Sequence, residues 1–317
     1  MLSAPAQAAV TARAPAKVNL LLEVGPLRED GYHDLLTVFQ ALDLAEDVTA
    51  HPAEGFSVEV EGAQGVDVAG VPLDGRNLAL RAALLLAERT GVRTGAHLRV
   101  RKGVPVAGGM AGGSADAAAA LVACDALWGT HLGLPALGEL AAELGADVPF
   151  CLHGRTAVGT GRGDRLVPVL TTAAFHWVLV PAGGGLSTPA VFAECDRLRA
   201  ASGRPAPAAD AGERLRAVEA ALRAGDPHLL GAALANDLQE AACSLVPELA
   251  GTLAAGAAAG ALAGLVSGSG PTVALLAGSA PHARRLAAAL RPALGERVRT
   301  ATGPVPGARV LEAVRAG

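Results

Sequence analysis

The stretch Pro105-Val-Ala-Gly-Gly-Met-Ala-Gly-Gly-Ser114 decides how the rest of the chain is read. Gly108, Gly109, Gly112 and Gly113 lack a Cβ, so their backbone N–H groups can turn toward an anion. An Ala- and Leu-rich run from residue 114 to about 128 predicts a helix whose first residue, Ser114, can cap itself through its hydroxyl. The positive end of that helix dipole points the same way as the bared N–H groups. A strand, a glycine loop and a helix N-terminus in this order make a cradle for a triphosphate. The same residues also suit a plain flexible connection, because the chain holds 40 glycines.

Two commoner phosphate loops do not fit. A P-loop places a lysine after its last glycine, and here Ser114 follows Gly113. A dinucleotide fingerprint follows the first strand of a βαβ unit, whereas about 100 residues precede this loop.

Upstream, residues 10 to 24 predict a strand, a short break at Pro15-Ala16-Lys17 and a second strand. Residues 38 to 44 and 56 to 60 read as further strands, 77 to 88 as a helix and 96 to 102 as a strand ended by Pro105. Downstream, 137 to 144 predicts a helix closed by Gly145, and 156 to 169 a strand and turn. Beyond a strand at 175 to 180, helices at about 189 to 200, 211 to 224, 228 to 242 and 281 to 292 alternate with strands near 265, 273 to 276 and 309 to 311. Residues 201 to 214 read as an exposed connection, and 251 to 266 as a close-packed helix running into a strand. The pattern is α+β in two domains, 1–168 and 169–317.

The net charge of −4 offers no broad basic face for nucleic acid and no polybasic membrane anchor. The first twelve residues lack the basic and continuously apolar regions of a secretory signal, and no stretch has the ~20 strongly apolar residues of a membrane span. Four cysteines without CxxC spacing read as reduced thiols of a cytoplasmic protein. Of 26 basic residues only Lys17 and Lys102 are lysines. A compact ammonium differs from the planar Arg fork, so these two positions are candidates for a special role. Phosphoryl transfer needs alignment and charge neutralisation at the acceptor oxygen, which a lysine and a carboxylate supply. Asp147, in Gly-Ala-Asp-Val-Pro, is the candidate carboxylate; taken alone it reads as a turn or helix-cap aspartate, and Lys17 as a strand-edge lysine.

Pro15-Ala-Lys-Val-Asn-Leu20, Pro105 to Asp116 and Ser267-Gly-Ser-Gly-Pro-Thr272 resemble, in order and spacing, the three signature motifs of the GHMP kinase superfamily. Asp30-Gly-Tyr-His-Asp-Leu35, Gly112 to Ala117, Leu144 to Pro149 and Asn236-Asp-Leu238 narrow the likeness. They resemble the branch that phosphorylates the 2-hydroxyl of a cytidine diphosphate-linked methylerythritol in the non-mevalonate isoprenoid pathway.

This resemblance implies a two-domain GHMP kinase fold. The N-terminal domain would be like domain 2 of ribosomal protein S5, with a left-handed crossover, and the C-terminal domain ferredoxin-like. It implies ATP on Lys102, Pro105, Val106, Ala107, Gly108, Gly109, Met110, Ala111, Gly112, Gly113 and Ser114, with Mg²⁺ carried mainly by the nucleotide. It implies Lys17 and Asp147 as catalytic residues, and a small-molecule cytidine substrate on Asn19, Tyr32, His33, Thr188, Phe192, Gly268, Ser269 and Gly270. Tyr32 and Phe192 would stack on the two faces of the cytosine ring, with His33 hydrogen-bonding it. Ala107 and Ala111 stand where many relatives have glycine, and a methyl there resists positive φ. The implied enzyme is a monomer or weak homodimer that binds neither nucleic acid nor membrane. Homoserine- or mevalonate-type kinases, or a non-catalytic nucleotide sensor on the same fold, are the alternatives.

Overall fold

The computed structural model describes residues 7–106, 108–203 and 212–315. The first half carries β1 (Gln7–Leu27), β2 (His33–Ala53), β3 (Ser57–Gly62), α1 (Leu78–Thr90), β4 (Gly95–Lys102), α2 (Gly112–Trp128), α3 (Gly133–Leu144), α4 (Val148–His153), β5 (Thr156–Gly161) and β6 (Arg165–Pro168). The second carries β7 (Phe175–Pro181), α5 (Thr188–Ser202), α6 (Gly212–Ala224), α7 (Pro227–Ala233), β8 (Ala235–Asn236), α8 (Gln239–Leu245) and α9 (Glu248–Ala258). It ends with β9 (Ala263–Val266), β10 (Thr272–Ala277), α10 (Ala280–Leu294), β11 (Arg299–Gly303) and β12 (Arg309–Arg315).

The break expected at Pro15-Ala16-Lys17 is a shift of register inside one 21-residue strand, and a second shift lies between Asn19 and Leu21. Proline has no N–H for a ladder, and irregular pairing is where a strand tolerates it. β2 likewise runs unbroken through 21 residues where the sequence suggested a shorter strand. These irregularities let one hairpin serve different partners along its length. The early part of β1 pairs with β12, while Leu21 and Leu22 pair with β8. The first part of β2 pairs with β5, and its last part with β4. Lys17 and Asn19 sit between the two shifts of register, two residues apart and so on one face of the strand.

α2 is the central helix of the first half. Ala115, Ala117, Ala118, Ala119, Ala120 and Ala123 are all fully buried, and the helix packs on β1, β2, α1 and α4. A helix apolar on every side belongs in an interior, and alanine lets its backbone approach the sheet closely. Four strands of the second half form an antiparallel sheet in the order β11-β7-β10-β9, while β8 and β12 join the sheet of the first half. Numbered by appearance in the chain, those four run 4-1-3-2, the ferredoxin-like arrangement.

Several elements differ from the sequence reading. α2 begins at Gly112, so Ser114 is its third residue and caps nothing; the cap position is Ala111, with no side-chain bond. The helix read over 228 to 242 is broken by β8 into α7 and α8, because Asn236 turns its amide to the carbonyls of Val266 and Gly268 at 2.7 and 2.8 Å. β11 had no anticipated counterpart. Much of the connection read at 201 to 214 lies outside the described residues, while its ends belong to α5 and α6. Among the described residues, no single helix is long and apolar enough to cross a membrane.

The alanine packing of α2 makes a direct prediction. Ala118→Leu is expected to lower unfolding free energy by about 1–3 kcal/mol through overpacking, read as a drop in the denaturation midpoint. An unchanged midpoint would mean that the helix is not tightly seated.

Candidate active site

A cleft of about 860 Å³ opens between the bent β1–β2 hairpin, the glycine loop with the start of α2, the start of α4, the start of α5 and the β9–β10 turn. Lys17, Asn19, Tyr32, His33, Asp147, Thr188, Phe192, Gly268 and Ser269 all line it, as do Gly108, Gly109, Ala111, Gly112, Gly113 and Ser114. Residues far apart in the chain therefore meet on one surface.

At its centre is the Lys17 ammonium, buried and 2.7 Å from the Asn19 side-chain oxygen. The Asp147 carboxylate faces it at 3.8 Å, and the Phe39 ring lies under it at 5.6 Å. Asn19 is itself fixed: its amide donates to the Thr37 hydroxyl at 2.8 Å, which donates to the Leu21 carbonyl at 2.7 Å. That chain aims the Asn19 oxygen at the lysine. An ammonium has three donors, and Asn19 takes one, leaving the others to address the cleft. Asp147 occupies the cap position of α4, yet its side chain makes no capping bond. Its carboxylate is thus left for the cleft, which the helix-cap reading did not foresee.

The α2 N-terminus forms the opposite wall. The first helical bond runs from the Ala115 N–H to the Ala111 carbonyl, so the N–H groups of Gly112, Gly113 and Ser114 have no partner within the helix. Such groups at the positive end of a helix dipole are built to face an anion. Ala111 adopts φ +60° despite its methyl, so the substitution noted in the sequence does not prevent the left-handed turn. Gly109 is required: at φ +72°, an added Cβ would lie 2.5 Å from the Ser267 carbonyl oxygen and 2.6 Å from that of Gly270. The third motif therefore lies directly against the loop, and the Ser267 hydroxyl donates to the Gly109 carbonyl at 3.2 Å. The Met110 carbonyl accepts the Lys17 backbone N–H at 3.2 Å.

The loop residues expected to touch ATP are not all in the cleft. Met110 is buried in the core, and Pro105 and Val106 do not line the cavity; neither does Gly270, expected at the substrate. Ala107 lies outside the described residues. Lys102, expected near the adenine, is buried beneath the loop between Glu46 and Asp116, each 2.6 Å from its ammonium. A lysine that fully engaged is not an open ligand group.

At the other end, Tyr32 is 55% exposed with the Arg162 guanidinium 5.8 Å from its ring centre. Phe192 stacks on His33 with ring centres 5.2 Å apart. Both His33 nitrogens have protein partners: Nδ1 lies 2.9 Å from the Gly25 carbonyl, and Nε2 lies 3.2 Å from Asp196. The Thr188 and Ser269 hydroxyls meet at 2.9 Å, joining α5 to the β9–β10 turn. Sequence reasoning missed Thr37, Phe39, Arg162 and Asp196. Thr37 and Phe39 carried a usable signal: with Leu35 they alternate along β2, so one cleft-facing residue marks the others.

Family models for the GHMP kinases N terminal domain and the GHMP kinases C terminal match residues 77–155 and 218–296. The chain is 72% identical over 298 residues, 94% of its length and 90% of the relative's, to the 4-diphosphocytidyl-2-C-methyl-D-erythritol kinase of Kineococcus radiotolerans. It belongs to the GHMP kinase family. A crystal structure of 4-(cytidine 5'-diphospho)-2C-methyl-D-erythritol kinase is 36% identical with a TM-score of 0.72, covering 92% of this chain and 98% of that one. The Cytophaga hutchinsonii homoserine kinase shares the fold at TM-score 0.75 and 19% identity, over 98% of this chain and 100% of that one. As a GHMP kinase the protein uses ATP and acts on a small molecule.

The Thr37 chain yields a test within this family. Thr37→Val keeps the shape of the side chain but frees the Asn19 amide, and should lower kcat about tenfold or more while ATP KM changes little. A kcat equal to the parent's would show that Lys17 needs no such alignment.

Proposed function

We propose that this protein transfers the γ-phosphate of ATP to the 2-hydroxyl of 4-diphosphocytidyl-2-C-methyl-D-erythritol. The observation that carries the reading is the meeting of Lys17 and Asp147, 3.8 Å apart, in one cleft with the unpartnered N–H groups of α2. Relatives of that name at up to 72% identity support the choice of substrate.

The N–H groups of Gly112, Gly113 and Ser114 would hold the phosphates, with Gly108 and Gly109 shaping the loop around them. The acceptor hydroxyl would lie between Lys17 and Asp147. Its O–H bond breaks with the proton passing to the Asp147 carboxylate, the oxygen bonds to the γ-phosphorus, and the bond to the β-phosphate oxygen breaks to release ADP. Lys17 stabilises charge developing on the transferred group and the attacking oxygen. Asn19, held by Thr37, keeps the ammonium in place. Mg²⁺ would enter with ATP and neutralise phosphate charge. Asp147 is the carboxylate beside the loop, a sparse donor set that suits a cation already dressed by phosphate oxygens and water.

The cytidine end would use Tyr32 as a stacking platform, with Phe192 and His33 forming the adjoining wall. With both ring nitrogens of His33 already engaged, its contribution to a cytosine is best supplied by its fixed position. Gly268 and Ser269, with Thr188 bonded to Ser269 from the start of α5, would meet the diphosphate, and Gly270 would shape the turn behind them. The enzyme is read as cytoplasmic, as a monomer or weak homodimer, and as binding neither nucleic acid nor membrane.

ADP release with Mg-ATP and the cytidine alcohol, measured against homoserine and mevalonate, tests the proposal; faster turnover of either competitor would reject it. Asp147→Asn should cut kcat by about 10²-fold or more with the fold intact. Tyr32→Ala should raise KM for the cytidine alcohol far more than KM for ATP, and equal losses would point to a folding defect.

A further inference from the structure

Beneath the glycine loop lies a cluster of charge that the reaction itself does not use. Glu46 is fully buried, and Lys102 and Asp116 are 2% and 4% exposed. The Lys102 ammonium is 2.6 Å from a carboxylate oxygen of each. The second Glu46 oxygen accepts the Gly103 N–H at 2.7 Å, so the same carboxylate grips the backbone where the loop begins. Asp116 is the fifth residue of α2, one position beyond its first turn and the N–H groups of the phosphate wall. A Cβ on Gly112 would stand 2.9 Å from Glu46 Oε1 and 3.4 Å from the lysine nitrogen, so the cluster touches the underside of that wall. Three elements, β2, β4 and α2, are pinned to one ammonium. Two carboxylates and one ammonium balance only if one carboxyl holds a proton.

We infer that Glu46 is a positioning residue for the nucleotide loop, and that its proton keeps the cluster under the phosphate site electrically neutral. This inference rests on the kinase reading above.

The surroundings favour that proton. Burial, then the neighbouring Asp116 charge, pushes Glu46 up to about 8, and burial raises Asp116 to about 6. The other groups facing the pair are Lys102 from the end of β4 and the Cys151 thiol of α4, itself pushed well above its usual range by burial. Arg13 and Asp47 on the adjoining strands pair with each other at 2.7 Å. Between about pH 6 and about pH 8 the cluster sums to zero. Above about pH 8, Glu46 ionises, and an uncompensated negative charge sits under the N–H groups that would hold phosphates. Nucleotide affinity should therefore fall as pH rises through that value, while the distant cytidine end should not respond.

Calorimetric titration with MgADP, and separately with CDP, at about pH 7 and about pH 9.5 reads this directly. The parent protein should bind MgADP roughly three- to tenfold more weakly at the higher pH, with CDP affinity changing less than about twofold. Glu46→Gln cannot ionise, and its MgADP ratio should shrink to under about twofold. Asp116→Asn should shrink the ratio as well, because a lone carboxylate beside Lys102 is balanced at both pH values. Thermal unfolding of each variant reports whether it is folded, and the parent's own ratio stands if one is not. A parent affinity that is flat with pH, or a Glu46→Gln ratio equal to the parent's, overturns the inference alone. Failure of the parent to bind MgADP at either pH overturns the kinase reading and the inference with it.

Discussion

A loop made largely of glycine has no side chains with which to hold its own shape, and the whole active cleft depends on how this one is held from outside. Glycine gives up more conformational freedom on ordering than any other residue. Here the backbone is gripped at intervals: Gly103 through Glu46, Met110 through the Lys17 N–H, and Gly109 through Ser267. Arg299 of β11 adds a clamp from the second half, donating to the Gly103 carbonyl at 3.3 Å and to those of Gln64 and Gly65 at 3.2 and 3.0 Å. Each such bond contributes only about 1 kcal/mol net, but together they oppose the entropy of a glycine-rich loop. The N–H groups of the α2 start remain free because the helix's first bond is made by the Ala115 N–H.

The same economy governs the long hairpin. Lys17 and Asn19 lie between two shifts of register, where β1 passes from one set of partners to another. A regular ladder would present its side chains evenly to both faces of a sheet. Between the two shifts the regular alternation holds, so Lys17 and Asn19 share the face that lines the cleft. The polar chain from Leu21 through Thr37 and Asn19 then leaves the lysine one stable orientation. A buried ammonium with a single weak partner would be costly; one with an aligned oxygen, a facing carboxylate and an aromatic ring below is tolerable.

Motif chemistry that acts through backbone was readable in advance. Gly108 to Gly113 suggested an anion cradle because glycine bares its backbone N–H, and the rarity of lysine singled out Lys17 and Lys102 as candidates. The difference between those two lysines was not readable. Lys17 opens onto the cleft and Lys102 is enclosed, and what separates them is the placement of Glu46, far in sequence from both. Thr37 was hidden for the same reason, being 18 residues from the Asn19 it orients. Ser114 misled through local logic: a serine at an apparent helix start suggests a cap, but Ala111 can take the left-handed turn and start the helix earlier.

By itself, the sequence determined the family, the alternation of elements and the candidate residues of the cleft. These follow from periodicity, glycine placement and short motifs, all of which act over a few neighbouring residues. Tertiary structure alone decided which charges face solvent, which face the cleft and which neutralise one another. That depends on distances between segments such as Arg299 and Gly103, 196 residues apart, and the energy of a charge is set by what surrounds it, not by what precedes it in the chain.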